Sequence, residues 1–149
     1  MDWAELQYEP PLPDSNYWRM HFDGSKVKEG LGAGVVLTLP KREKLKYVLQ
    51  IHFAASNNVA EYEALIHGIK VAKEIGVHRI ICFGDSDLVV QQASGTWDAL
   101  DANVASYLFH VQQISGYFDG CEFHHVRREN NEDANILSKL GSYRQAITP

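Results

Sequence analysis

Cysteine is scarce in this 149-residue chain, positive charge is in deficit, and no apolar run is long. The two cysteines, Cys82 and Cys121, both lie in apolar strand-like runs. That density argues against a disulfide framework and reads as two buried free thiols. Lys and Arg number 14 against 19 Asp and Glu, for a formal net charge of -5. Such a balance gives no strong non-specific grip on nucleic acid, which needs a basic face. Any contact of that kind must be local, metal-assisted or helped by a neighbouring domain. No apolar stretch approaches the length that spans a bilayer, and the acidic N-terminus has no apolar signal core. The expectation is a soluble intracellular domain, without a membrane partner and monomeric in isolation. With 45% hydrophobic residues the chain can bury the core of one domain.

What is present is an ordered alternation of elements. Residues 1–15 include Pro10-Pro11-Leu12-Pro13, which block helix and central strand, and read as a leader or linker. Residues 143–149 read as a tail, leaving a folded domain over 16–142. Two such ends point to a domain taken from a longer polypeptide. Residues 17–23 alternate Trp18, Met20 and Phe22 with Tyr17, Arg19 and His21, a strand pattern. A second strand over 30–39 carries Gly30, Gly32 and Gly34, small residues where something packs closely. A charged turn over 40–44 leads to a third strand over 47–53, completing an antiparallel meander. A helix follows over 57–75, capped by Ser56 or Asn57 and closed at Gly76. Then come a strand over 79–83, a short helix from Ser86, a loop at Gly95-Thr96-Trp97-Asp98, a helix over 101–117, a strand over 121–126 and a helix over 132–140. The order βββαβααβα predicts an α/β fold, in the α+β sense of one five-stranded mixed sheet with helices on its faces.

Three acidic residues fall where such a sheet gathers ligands, at strand ends near a switch in strand direction. Asp23 ends the first strand, Asp85 ends the fourth, and Glu61 lies one turn into the first long helix. Each has a plain reading: Asp23-Gly24-Ser25 is a good turn, Glu61 a solvated helix residue, Asp85 a helix cap. Yet the next-turn neighbours of Glu61 are Leu65 and Gly68, which aim it at the body. Converged carboxylates repel unless a divalent cation neutralises them, and the usual work of such a hard-metal site is phosphodiester chemistry. Asp87 reads as an ordinary exposed first-turn carboxylate.

Phe22-Asp23-Gly24-Ser25, Gly32-Ala33-Gly34-Val35-Val36-Leu37, Ser56-Asn57-Asn58-Val59-Ala60-Glu61 and Gly84-Asp85-Ser86-Asp87-Leu88-Val89-Val90 together resemble the ribonuclease H family. More narrowly they resemble the ribonuclease H domain attached to reverse transcriptases of plant long-terminal-repeat retroelements. The resemblance covers residues 17–141. It implies cleavage of the RNA strand of RNA–DNA hybrids with two Mg²⁺ or Mn²⁺ ions, in a polyprotein that also carries reverse transcriptase and integrase domains. It implies that Asp23 bridges both ions, Glu61 binds the ion nearer the leaving group and Asp85 the ion that activates water. Asn57 and Asn58 match positions that contact the hybrid in its minor groove, where amides can bond to 2′-hydroxyls. Gly24 is expected to let backbone approach the RNA, with Ser25 beside it.

The chain departs from the family pattern near its end. Where the family has Ala-Asp, this chain has Ala134-Asn135, so Asn135 stands at the fourth metal-binding position. Asp133 does not replace it, because two residues turn about 200° on a helix; a register shift to rescue it takes Leu137 and Leu140 off the core face. Asn keeps one carbonyl oxygen and loses the charge, which implies weak metal ligation and slow or Mn²⁺-preferring cleavage. The loop 127–131 is short and holds no His; His124 and His125 sit on the preceding strand, where one of them reads as packing rather than catalytic. Arg128 is expected to act electrostatically or to contact phosphate. Lys41, Arg42, Lys44 and Lys46 form the one obvious basic cluster, on a hairpin.

Overall fold

The structure is a computed structural model that describes residues 17–95, 97–98 and 102–143. The leader over 1–15, the tail beyond Tyr143, Thr96 in the loop and the first residue of the helix expected over 101–117 lie outside the described residues. The elements are β1 (Tyr17–Val27), β2 (Gly30–Thr38), β3 (Lys44–Ile51), α1 (Asn57–Glu74), β4 (Arg79–Gly84), α2 (Asp87–Ala93), α3 (Ala102–Ser115), β5 (Gly120–His125) and α4 (Glu132–Ser142), with a 3₁₀ turn at Arg128–Asn130 before α4. The expected order βββαβααβα and the five-stranded mixed sheet are both found. The sheet runs β3-β2-β1-β4-β5. β1, β2 and β3 pair antiparallel, while β4 joins β1 and β5 in parallel.

Alternation along β1 and β2 assigns the two faces. Met20, Phe22, Leu31, Ala33, Val35 and Leu37 point into the main core under α1, together with Tyr62, Leu65 and Ile69 of that helix. Each large side chain buried there contributes about 1.5–3 kcal/mol. Ser56, not Asn57, caps α1: its side chain accepts from the Val59 N–H at 3.2 Å. The helix ends as expected at Gly76, whose φ of 87° is left-handed. The Gly76 N–H donates to the Lys73 carbonyl and the Val77 N–H to the Ala72 carbonyl, a Schellman ending.

The other face of β2 is bare over its first half. Gly32 and Gly34 present no side chain, and α4 lies against the strand backbone there. A Cβ on Gly32 would strike the Ser138 carbonyl; one on Gly34 would strike the Ala134 carbonyl and come within 2.6 Å of the Ser138 nitrogen. Gly141 meets the Leu49 carbonyl of β3 in the same way. The expectation that something packs closely on these glycines holds, and α4 is what packs.

Three expectations are corrected. β1 continues through Asp23 to Val27, so Asp23 does not end its strand; what ends at Phe22–Gly84 is the parallel ladder between β1 and β4. β3 begins at Lys44, inside the segment read as a charged turn, because the turn tightens at Arg42 with a φ of 75°. Leu140 is 59% exposed, since the buried face of α4 is made of Ala134, Ser138, Gly141 and Ser142. Larger residues do not fit where helix and strand backbones touch. Of the two cysteines, Cys82 is buried and Cys121 half-buried, and both are free thiols.

Gly34→Ala is expected to cost about 2 kcal/mol or more in urea denaturation, an overpacking penalty against backbone that cannot retreat. Gly116→Ala, whose Cβ would meet nothing nearer than 3.6 Å, is the matched control and is expected to be near neutral. Equal stabilities for the two would refute the close contact of α4 with β2.

Candidate metal centre

The end of the β1–β4 ladder is where side chains from both faces of the sheet meet. Asp23 and Asp85 are the first residues beyond the last ladder pair, Phe22 and Gly84. Gly24 has no side chain, and the α1 backbone at Ala60 and Glu61 fills the space a Cβ would need. That approach carries Glu61 over the strand end, on the face shared with Leu65 and Gly68, all three buried. One carboxylate oxygen from each of Asp23, Glu61 and Asp85 lies within 4.8 Å of the others. The three predicted acids therefore converge.

The electrostatics are those of charge held against its own repulsion. Asp23 is 1% exposed and Glu61 3%. Burial raises the Asp23 pKa to about 6, with the neighbouring Asp85 charge adding to it and a hydrogen bond from Ser138 opposing it. Burial raises Glu61 further, to about 10, helped by the Asp23 charge. Glu61 Oε2 and Asp85 Oδ2 are buried with no hydrogen-bond partner. Buried oxygens left unpaired are costly, and a hard divalent cation both neutralises them and takes them as ligands. The donor set fits such an ion.

α4 closes the site from the other side. Asn135 lies in it, with Nδ2 donating to Asp23 Oδ2 at 3.1 Å. Ser138 Oγ donates to the same oxygen at 2.6 Å. Asn131, at the start of the helix, donates from Nδ2 to the Phe22 carbonyl at 3.0 Å and ties α4 to β1 beside Asp23. Asp133 points away, to Lys44 at 3.5 Å, as the helical rotation predicts. Ser138 and Asn131 are not among the site residues foreseen. Their signal is the spacing of three and four residues from Asn135, visible only once Asn135 is known to face the acids.

An open cleft of about 580 Å³ surrounds the cluster, lined among others by Gly24, Ser25, Lys26, Asn57, Arg128 and Lys139. Gly24 is thus at the cleft, but the backbone approach it permits is that of α1. Because Ser56 takes the cap, neither Asn57 nor Asn58 is occupied in that role; Asn57 is exposed and Asn58 half-buried at the first turn. Arg128 Nε stands 3.8 Å from Asp85 Oδ2, a charge contact rather than a hydrogen bond, from a side chain that is 73% exposed. His125 is exposed, with its Nε2 3.2 Å from the Asp85 carbonyl. His124 does pack, tilted against Phe83 at 5.8 Å, with its Nε2 2.9 Å from Glu122.

The raised carboxylates make stability depend on pH with a definite sign. The folded chain holds protons that the unfolded chain has released, so stability falls as pH rises from about 4 through 6 for Asp23 and onward toward 10 for Glu61. The Asp23 share is about 3 kcal/mol at most. The metal-free protein is expected to melt higher at mildly acidic than at mildly alkaline pH. Glu61→Gln should flatten that dependence, and Mn²⁺ should raise Tm more on the alkaline side. A Tm profile unchanged by Glu61→Gln would contradict the burial of this charge.

Comparison with known proteins agrees with this arrangement. Residues 21–141 match a family described as reverse transcriptase-like. Over 84 residues, 56% of this chain, the sequence is 37% identical to a ribonuclease HI of Halobacterium salinarum, covering 42% of that protein. The chain spans between 31% and 56% of the length of the curated relatives it matches. The crystal structure of RNase H1 from the same archaeon superimposes with a TM-score of 0.79 at 30% identity, over 84% of this chain and 96% of that one. LC11-RNase H1 in complex with RNA/DNA hybrid gives 0.75 at 26% identity, over 83% and 94%. By sequence and by fold, the chain belongs to the ribonuclease H family, in its reverse transcriptase-like group.

Proposed function

We propose that this chain is an endoribonuclease that cleaves the RNA strand of RNA–DNA hybrids with two divalent ions, Mg²⁺ or Mn²⁺. The observation that carries the reading is the convergence of Asp23, Glu61 and Asp85, two of them with an orphaned buried oxygen, at an open cleft. Asp23 is the shared ligand, Glu61 serves the ion on the leaving-group side and Asp85 the ion on the water side. Asn135 adds a neutral fourth donor; its amide can donate to Asp23 through nitrogen while its oxygen stays available. Bound ions supply a nucleophilic water near neutral pH and stabilise the departing oxygen.

The other residues of the cleft bind and orient. Asn57 and Asn58, released from capping, offer amides to 2′-hydroxyls, which mark RNA. Gly24 and Ser25 line the approach of the RNA strand. Arg128, Lys26 and Lys139 offer charge to phosphates around an acidic centre. With a net charge of -5 the isolated, monomeric domain holds hybrid poorly. A reverse transcriptase and an integrase in the same retroelement polyprotein, working inside a plant cell, would keep the substrate at high effective concentration. The reverse transcriptase-like family description supports that setting.

A second reading is favoured by one observation, Asn at position 135: a domain that binds hybrid or a protein partner without turnover. Cleavage of labelled hybrid, in Mg²⁺ and separately in Mn²⁺, separates the two. Slow, Mn²⁺-favoured cleavage is expected from the chain itself. Asn135→Asp should raise the Mg²⁺ rate about tenfold or more, and Asp23→Asn should abolish cleavage. Activity in the Asn135→Asp variant alone would favour the binding reading, and indifference to both changes would sink the site.

A further inference from the structure

We infer that Ser138 is a positioning residue of the carboxylate cluster: its hydroxyl holds one oxygen of Asp23 so that the other is presented to a divalent cation. The inference deepens the metal-dependent reading above and rests on it. Ser138 is fully buried on the inner face of α4. Its Oγ lies 2.6 Å from Asp23 Oδ2 and 2.8 Å from the Asn135 carbonyl. One hydroxyl has one proton to donate. The carbonyl is the acceptor that helix serines ordinarily find in their own turn, and Ser142, also buried, makes that bond to the Lys139 carbonyl at 2.8 Å.

Ser138 has an acceptor within its own helix and does not depend on Asp23 for one; the dependence runs the other way. Asp23 is almost wholly buried at the floor of the cleft, and Asn135 supplies its Oδ2 with one longer bond, at 3.1 Å. The shorter contact to a charged acceptor is the stronger of the two open to the hydroxyl. Two donors from one helix on a single carboxylate oxygen fix the orientation of the group and leave its second oxygen for a ligand role. Gly34 makes this possible, because a Cβ there would stand 2.6 Å from the Ser138 nitrogen and hold the helix off the strand. Partners of this kind behind metal-binding carboxylates typically alter metal affinity about tenfold or more.

The test is Mn²⁺ binding to the full chain at one alkaline pH, read from the electron paramagnetic resonance of free Mn²⁺, beside thermal melting of each ion-free protein. Ser138→Ala is expected to bind Mn²⁺ about tenfold more weakly while the ion-free variant still melts cooperatively, at a lower temperature than the wild type because Asp23 loses a donor. Ser142→Ala, which removes a buried serine that bonds only its own helix, is expected to bind as the wild type does. Ser138→Cys keeps the shape with a poor donor and decides the question by the same criterion if Ser138→Ala fails to fold. Wild-type affinity in the Ser138 variants, or an equal loss in Ser142→Ala, would overturn the inference. A wild type that binds Mn²⁺ in a Ser138-dependent way yet leaves hybrid uncut would remove the nuclease reading and keep this one. A wild type that binds no Mn²⁺ removes both.

Discussion

The contact of the α4 backbone with the backbone of β2 is the constraint on which the cleft depends. Two glycines on the strand and one on the helix remove the side-chain layer that ordinarily separates helix from sheet. The helix thereby comes close enough for Asn131 to bond the Phe22 carbonyl and for Asn135 and Ser138 to bond Asp23. A gap wider by one methyl group would put these polar groups out of hydrogen-bond range. Packing and chemistry are therefore one arrangement here: the small residues that build the interface also set the aim of the central carboxylate.

The second constraint opposes folding. Three carboxylates meet at the end of the β1–β4 ladder, and burial raises two of them well above their ordinary range. The molecule offsets this locally, with the Gly24 N–H bonded to Glu61, the hydroxyl and amide on Asp23, and Arg128 near Asp85. It does not offset it fully, since two carboxylate oxygens stay unpaired. The core under α1 bears the difference. A site that is costly in the absence of its ligand is the usual signature of a site kept for function rather than for stability.

Much of this was legible in the chain. The alternation of β1, the helical period of α1 and the turn residues between elements are local signals, and they located every strand and helix to within a few residues. The positions of Asp23, Glu61 and Asp85 in those elements were enough to anticipate their meeting. The errors have a common origin. Apolar patterning puts Leu140 in the core because large apolar residues ordinarily go there, and it ends β1 at Asp23 because Asp23-Gly24-Ser25 reads as a turn. In both cases the deciding fact is a partner on another element.

The sequence by itself determined the order of elements, the sheet and the three acids at its switch point, because these follow from periodicity and from which residues stand at element ends. Tertiary structure alone decided which face of α4 meets the sheet and that Ser138 reaches Asp23 across 115 positions of chain. Such contacts are set by the distance between two backbones. That distance depends on every small residue in the interface at once, a sum that no local pattern carries.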